Sequence, residues 1–342
     1  MINDVWVGGR AGRAHYVGMA TGLVAPGLGE TVTSTVIDVR GLRMSYGSLE
    51  AVRGIDLHVN RGEVFAFLGP NGAGKTTTVE ILEGYRRRNA GEITVLGCDP
   101  QNAGPAWRAR IGVVLQESEP EHDLTVIECL KLYAGYYPHP RDIDETLNLV
   151  GLAKRADATA GRLSGGQRRR LDVALALIGN PELLFLDEPT TGFDPSARRV
   201  AWDMIAGLRT LGVTVFLTTH YMDEAEHLAD RLAVIAYGEI VAEGTPKTFA
   251  GREHAPADIS FTLPDGTAPV DLPEPLHDAI VDTSGRVLVR SKEPVAVLGP
   301  LTRWAEGRGF DLADLEVRHP SLEDVYLELT ASSKRGSSKE GS

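Results

Sequence analysis

The sequence predicts an α/β fold with a small α+β appendage, and three observations carry that expectation. Apolar runs of strand length recur at VFAFLG (64–69), LLFLD (183–187), VTVFLTT (213–219) and LAVIAYG (232–238). Bounded by turns and followed by helical patterning, such runs suit parallel strands buried on both faces. A glycine-rich turn, GPNGAGKTT (69–77), joins the first run to the helical stretch TTTVEILEGY. After Gly244-Thr245-Pro246 the pattern changes to short strands and amphipathic helices.

Taken in order, residues 1–35 are rich in Gly and Ala without periodicity and read as a flexible extension. The main α/β domain is expected over 36–252. Within it, about 117–180 is helical in pattern, with IECLKLYAGYY and IDETLNLVGL as amphipathic stretches. An α+β accessory domain is expected over 253–330. ISFTL, AIVDTSGRVLVRS and LEVRH read as strands, with a hairpin turn at Ser284-Gly285. PVAVLGPLTRWAEG and SLEDVYLELT read as helices, the second opened by a capping box from Ser321 to Asp324. The tail, 331–342, is Ser/Gly/Lys-rich with nothing apolar to bury and is expected to be disordered.

Composition narrows the function classes. A chain of 342 residues is long enough for roughly two domains. Its formal net charge of −12 argues against general affinity for nucleic acid or anionic lipid. Cys98 and Cys129 are its only cysteines, so neither a disulfide framework nor a multi-cysteine zinc site is expected, and a reduced, cytoplasmic setting follows. The N-terminal stretch lacks the basic and then apolar regions of a signal peptide. No run reaches the roughly 18 apolar residues of a membrane span, so any service to a membrane is peripheral.

The glycine turn fits G-x-x-x-x-G-K-[ST], with Gly69, Gly74, Lys75 and Thr76 in place. Its glycines let backbone N–H groups point inward around a β-phosphate. Lys75 brings charge to the β/γ oxygens, and the Thr76 hydroxyl can ligate Mg²⁺. Asn71, Gly72, Ala73, Gly74, Lys75, Thr76 and Thr77 are therefore the expected nucleotide-binding set. LLFLDEP ends a buried strand in Asp187, placed to organise Mg²⁺, and Glu188, suited to polarise an attacking water. A second glycine turn, LSGGQ (163–167), opens another helix about ninety residues after the first. Ser164 can cap that helix, and Gly165 and Gly166 let its N-terminus approach an anion closely.

In order, the phosphate loop, Gln116 in VVLQES, LSGGQ, LLFLDEP, GFDP and His220 in TTH resemble the nucleotide-binding domain of the ABC ATPase family over about 36–250. HYMDEAEHLADRLAVIAYGEIVAEGTP and HPSLEDVYLELT narrow the likeness to stand-alone ATPases of bacterial ABC exporters, including the daunorubicin-resistance type. The resemblance implies a P-loop NTPase of ABC type: a RecA-like core sheet with a β-subdomain and a helical subdomain. It implies ATP and Mg²⁺ as ligands, Tyr46 stacked on adenine, and Gln116 touching Mg²⁺ and water. His220 would bond the γ-phosphate, and Asp194 in GFDP would lie along a dimer seam. Ser164, Gly165, Gly166 and Gln167 would complete the site of a second copy of the chain. Phe193 stands where the family more often has Leu.

An ATP-driven export subunit is the expected function, peripheral at the inner face of the cell membrane, with a separately encoded permease and no nucleic-acid partner. A soluble translation or repair ATPase is the alternative from another class, although neither a second phosphate loop nor sustained heptads is present. An importer ATPase is the alternative within transport.

Overall fold

The computed structural model describes residues 35–115, 121–263, 266–268, 271–276, 280–281 and 285–327. Gln116, Ser284, the extension up to residue 34 and the tail 331–342 lie outside the described residues. Thr35, counted above in the extension, opens the first strand.

Two long antiparallel strands, β1 (Thr35–Tyr46) and β2 (Leu49–Asn60), pair with β4 (Ala90–Val95) in a three-stranded sheet of order β2-β1-β4. The core is a six-stranded sheet of β3 (Val64–Leu68), β5 (Ile111–Val114), β6 (Leu183–Asp187), β7 (Thr214–Thr219), β8 (Arg231–Ala236) and β9 (Glu239–Gly244). Its order is β5-β6-β7-β3-β8-β9, parallel throughout except for β9, which returns antiparallel beside β8.

The continuous apolar runs have a direct cause in this arrangement. On β3, Val64, Ala66 and Leu68 enter one core while Phe65 and Phe67 enter the other. β6 and β7 divide in the same way, Leu184, Leu186, Val215 and Leu217 against Leu183, Phe185 and Phe216. Successive side chains point to opposite faces, so a strand covered on both sides needs apolar residues at every position. The second core, shared with the antiparallel sheet, is centred on Phe216, which lies 5.6–5.7 Å from the rings of Phe65, Phe67 and Phe185.

The first core is shared with helices. α1 (Lys75–Leu82), after β3, and a four-residue turn of helix, α2 (Pro105–Arg108), before β5, pack instead into the second core through Val79, Ile81, Leu82 and Trp107. The helical region expected over 117–180 contains α3 (Val126–Ala134), α4 (Ile143–Leu149) and α5 (Gly165–Leu177). α6 (Pro195–Thr210) and α7 (Met222–Leu228) flank β7.

C-terminal to β9, a four-stranded antiparallel sheet has the order β11-β12-β10-β13. Its strands are β10 (Ala257–Thr262), β11 (Ile280–Val281), β12 (Arg286–Ser291) and β13 (Glu316–Arg318). Helix α8 (Pro294–Arg308) covers it through a separate small core that includes Phe261, Val287 and Leu301. The chain then returns to the main domain. The capping box forms, with Ser321 N donating to Asp324 Oδ2 at 2.8 Å and Asp324 N to Ser321 Oγ at 3.1 Å. The helical turn it opens, 322–327, places Leu322 in the main core beside Phe249. Arg252 clasps the junction, donating to Pro320 O at 2.6 Å and pairing with Glu226 at 2.8 Å.

Candidate functional site

The turn between β3 and α1 is fixed from both sides by backbone. A Cβ on Gly69 would lie 2.3 Å from Ile235 O, and one on Gly74 would lie 2.6 Å from Ala51 O. Gly74 also has φ of 109°, a conformation that only glycine adopts without strain. Ala73 is buried, and its carbonyl accepts from Gly238 N at 3.0 Å. Lys75, 7 % exposed, donates to Gly69 O at 2.6 Å and Pro70 O at 3.2 Å. Burial lowers its pKa, and the carboxylates of Glu188 and Asp187 oppose that shift.

The acidic pair sits at the carboxyl end of β6, with β7 between it and the strand that leads into the loop. Thr218 Oγ1 donates to Asp187 Oδ1, which fixes that carboxylate at the tip of β6. Glu188 has φ of 45°, a left-handed conformation that costs a non-glycine residue roughly 1 kcal/mol or more. Its N–H donates to Thr218 O at 3.1 Å. Its carboxylate accepts from Thr191 Oγ1 at 3.1 Å and meets His220 Nδ1 at 3.1 Å. The His220 ring rests on Tyr221 at 4.1 Å, and Arg198 covers Tyr221 at 4.3 Å.

Tyr46, Asn71, Gly72, Gly74, Lys75, Thr76, Thr77, Asp187, Glu188 and His220 line one cavity of about 690 Å³. The Tyr46 ring is 41 % exposed at its rim, with its hydroxyl 3.2 Å from Thr77 Oγ1. A second cavity, about 790 Å³, holds Ser164, Gly165, Gly166, Gln167 and Asp194. Among the described residues, Glu188 is the one residue lining both. The phosphate-loop residues and the LSGGQ residues thus line adjacent but separate concavities. Gln116 lies outside the described residues.

In the second cavity Ser164 caps α5: Gln167 N donates to Ser164 Oγ at 3.3 Å, and Ser164 N to Gln167 Oε1 at 3.1 Å. Asp194 caps α6, accepting from Ser196 N at 2.8 Å and Ala197 N at 2.9 Å.

Three charged residues near the site escaped the sequence reading. Arg169, in the middle of RRR (168–170), is only 9 % exposed and donates to Asp187 O at 2.5 Å and Pro189 O at 3.3 Å. Its spacing to Val173 and Leu177 puts it on the buried face of α5, a signal present in the periodicity. Glu224 on α7 is fully buried, and its Oε1 accepts from Thr190 Oγ1 at 2.8 Å and Trp202 Nε1 at 3.1 Å. Burial pushes its carboxyl pKa up. Glu83, at the end of α1, is raised to about 8 by burial, then by the nearby charges of Asp187 and Glu80.

A crowded glycine loop, a buried lysine and two strand-end carboxylates fit a nucleoside triphosphate with a divalent cation. The donor set for such a cation, the Thr76 hydroxyl and the Asp187 carboxylate, is hard oxygen, as Mg²⁺ requires.

Comparisons with known proteins agree. The family described as "ABC transporter" matches residues 52–191, and one described as "ABC transporter domain-containing protein-like, C-terminal domain" matches 257–321. The chain is 38% identical to the daunorubicin resistance ATP-binding protein DrrA3 of Streptomyces coeruleorubidus, over 89% of this chain and 98% of that protein. It is 43% identical to a Nod factor export ATP-binding protein I of Cupriavidus pinatubonensis, over 88% and 93%. Among solved structures it is similar to MJ1267, an ATP-binding cassette of an ABC transporter, in its ADP conformation. That match has a TM-score of 0.56 and 26% identity over 62% of this chain and 92% of that one. It is also similar to cbiO1 of Clostridium perfringens, part of the ABC transporter complex cbiONQ, with a TM-score of 0.58, 28% identity and 62% and 89% coverage.

Proposed function

The chain belongs to the ABC transporter family as an ATP-binding, ATP-hydrolysing subunit, and from that premise we propose that it drives export of a drug or other hydrophobic compound through a separate permease. Two copies close head to tail around ATP, each copy's LSGGQ turn completing the other's phosphate-loop site. The observation that carries this reading is the pair of cavities meeting at Glu188. A phosphate loop open on one side and an anion-ready helix N-terminus facing a different concavity are complementary halves, and a two-fold axis makes them self-complementary.

The roles follow from the geometry. The loop amides and Lys75 hold the β- and γ-phosphates, and the Tyr46 ring at the rim offers a flat surface to adenine. Thr76, Asp187 and Gln116 would hold Mg²⁺, which when bound neutralises charge on the phosphate oxygens. Glu188 accepts a proton from water as the water oxygen bonds to the γ-phosphorus and the β–γ bridging bond breaks, giving ADP and phosphate. His220, against Glu188, donates towards the γ-phosphate. Ser164, Gly165, Gly166 and Gln167 of the second copy supply donors on the open side, and the Asp194 loop lies along the seam.

Export is favoured over import, and transport over translation or repair, by the roles that the relatives' names carry, daunorubicin resistance and Nod factor export. Among the described residues no helix is long and apolar enough to cross a membrane. The relatives' names as ATP-binding proteins of resistance and export support a working position at the inner face of the membrane, against the permease. Inside-out vesicles carrying the chain with its permease, offered a panel of labelled drugs that includes daunorubicin, should accumulate one of them with ATP and not with Lys75→Ala. Accumulation in the opposite orientation only would assign the subunit to import.

A further inference from the structure

Glu188 and the LSGGQ turn serve different ATP molecules in the proposed dimer, yet one side chain joins them within each copy. Arg169 lies on α5, five residues after Ser164, and its guanidinium turns into the protein. It donates to three successive carbonyls, those of Asp187 at 2.5 Å, Glu188 at 3.5 Å and Pro189 at 3.3 Å, and to Leu115 O immediately after β5. Among the described residues no carboxylate stands within ion-pair distance of it. A buried cation bonded to four carbonyls is held by the geometry of its fork, which a lysine cannot reproduce. The backbone it grips is the stretch in which Glu188 adopts its left-handed conformation.

We propose that Arg169 is a positioning residue that locks the strained backbone at Glu188 to the helix opened by Ser164, so that one chain's two half-sites shift together. When the LSGGQ turn engages the γ-phosphate bound by the other copy, α5 moves or stiffens, and the guanidinium carries that setting to the water-polarising carboxylate of its own site. The inference rests on Glu188 being the base. Burial depresses the Arg169 pKa while Asp172, Asp187 and Glu224 oppose the shift, which agrees with a desolvated cation in a partly compensated place.

A double-mutant cycle on the full chain tests it. Arg169→Met and Arg169→Lys should each lower kcat for ATP at least tenfold and leave KM within threefold, because the phosphate loop is untouched. In a Glu188→Gln background the same substitutions should change the slow residual turnover less than twofold, since the group through which Arg169 acts is already gone. Losses that multiply in that background overturn the proposal, as does an Arg169→Lys chain at the parental rate. Loss of ATP binding in both Arg169 variants would mark a merely structural role and overturn it too. Glu188→Gln turning over at the parental rate, with Arg169 intact, would instead remove the premise itself.

Discussion

His220 Nδ1 stands 3.1 Å from Glu188 Oε1, across the ends of strands that are direct neighbours in the parallel sheet. Asp187 pairs in register with Thr218, and the residues that follow stay in contact, Glu188 N donating to Thr218 O at 3.1 Å. The sheet order thus delivers an acidic pair and an imidazole to one place, at the carboxyl ends of the strands where ligands of open α/β sheets bind.

Replacing the carboxylate of that contact should separate binding from chemistry. Glu188→Gln keeps the shape and loses the base, so ATP binds while phosphate release slows at least a hundredfold. The same variant should accumulate an ATP-dependent dimer in sedimentation. Rapid hydrolysis by this variant would place the base elsewhere.

Lys75→Ala removes the one lysine that lines the cavity among the described residues and takes away the ammonium that donates to the carbonyls of Gly69 and Pro70. ATPase activity should fall at least a hundredfold in a phosphate-release assay. Near-parental hydrolysis would contradict the phosphate-loop assignment.

The backbone of the loop predicts a cost in stability. Gly74→Ala meets both a φ of 109° and a carbonyl 2.6 Å from the new carbon. Urea unfolding should show a loss of about 2 kcal/mol or more, with the slope of the transition unchanged. A loss no larger than that of an exposed Gly→Ala change would mean the loop relaxes freely.

Glu83 gives a pH dependence with a definite sign. Its carboxyl is raised from 4.5 to about 8 in the folded chain, so between those values the folded state holds a proton that the unfolded state has released. The stability from this group is complete below about 4.5 and is lost as pH rises through 8. Glu83→Gln stays neutral, so its melting temperature relative to the parent should climb from pH 5 to pH 8 and level off above, each pKa unit being worth about 1.4 kcal/mol. A difference that stays flat over that range would place Glu83 in a more hydrated setting.

The parts of this site that were legible in the sequence are those whose geometry is local. Gly69 to Thr77 encode their own turn, and Asp187-Glu188 end a strand whose apolar run announces its burial. Ser164 was legible as the cap of α5, and the structure adds Gln167 as its partner in a capping box. His220 and Tyr46 became legible only through the family's ordering of motifs, because a lone His or Tyr has no distinguishing neighbourhood. Arg169 was passed over because RRR reads as a solvated stretch, and the carbonyls that draw one of the three inward, those of Leu115 and of Asp187 to Pro189, lie far from it in sequence. Glu224, within DEAEH, was hidden for the same reason, its partners Thr190 and Trp202 lying far away in sequence. The sheet order was not legible either, since parallel neighbours such as β3 and β7 are separated by most of the domain.

The central claim is that each ATP site is built from two copies of the chain, and complementation between inactive variants tests it most directly. Lys75→Ala loses the phosphate loop and Ser164→Arg blocks the LSGGQ turn, so each should be inactive alone. A mixed dimer then holds one doubly damaged site and one intact site. Equal mixing should restore about a quarter of parental ATPase, since half the dimers are mixed and each keeps one of two sites. No recovery, under conditions where mixed dimers are shown to form, would contradict action across the dimer and return both glycine loops to a single chain's site.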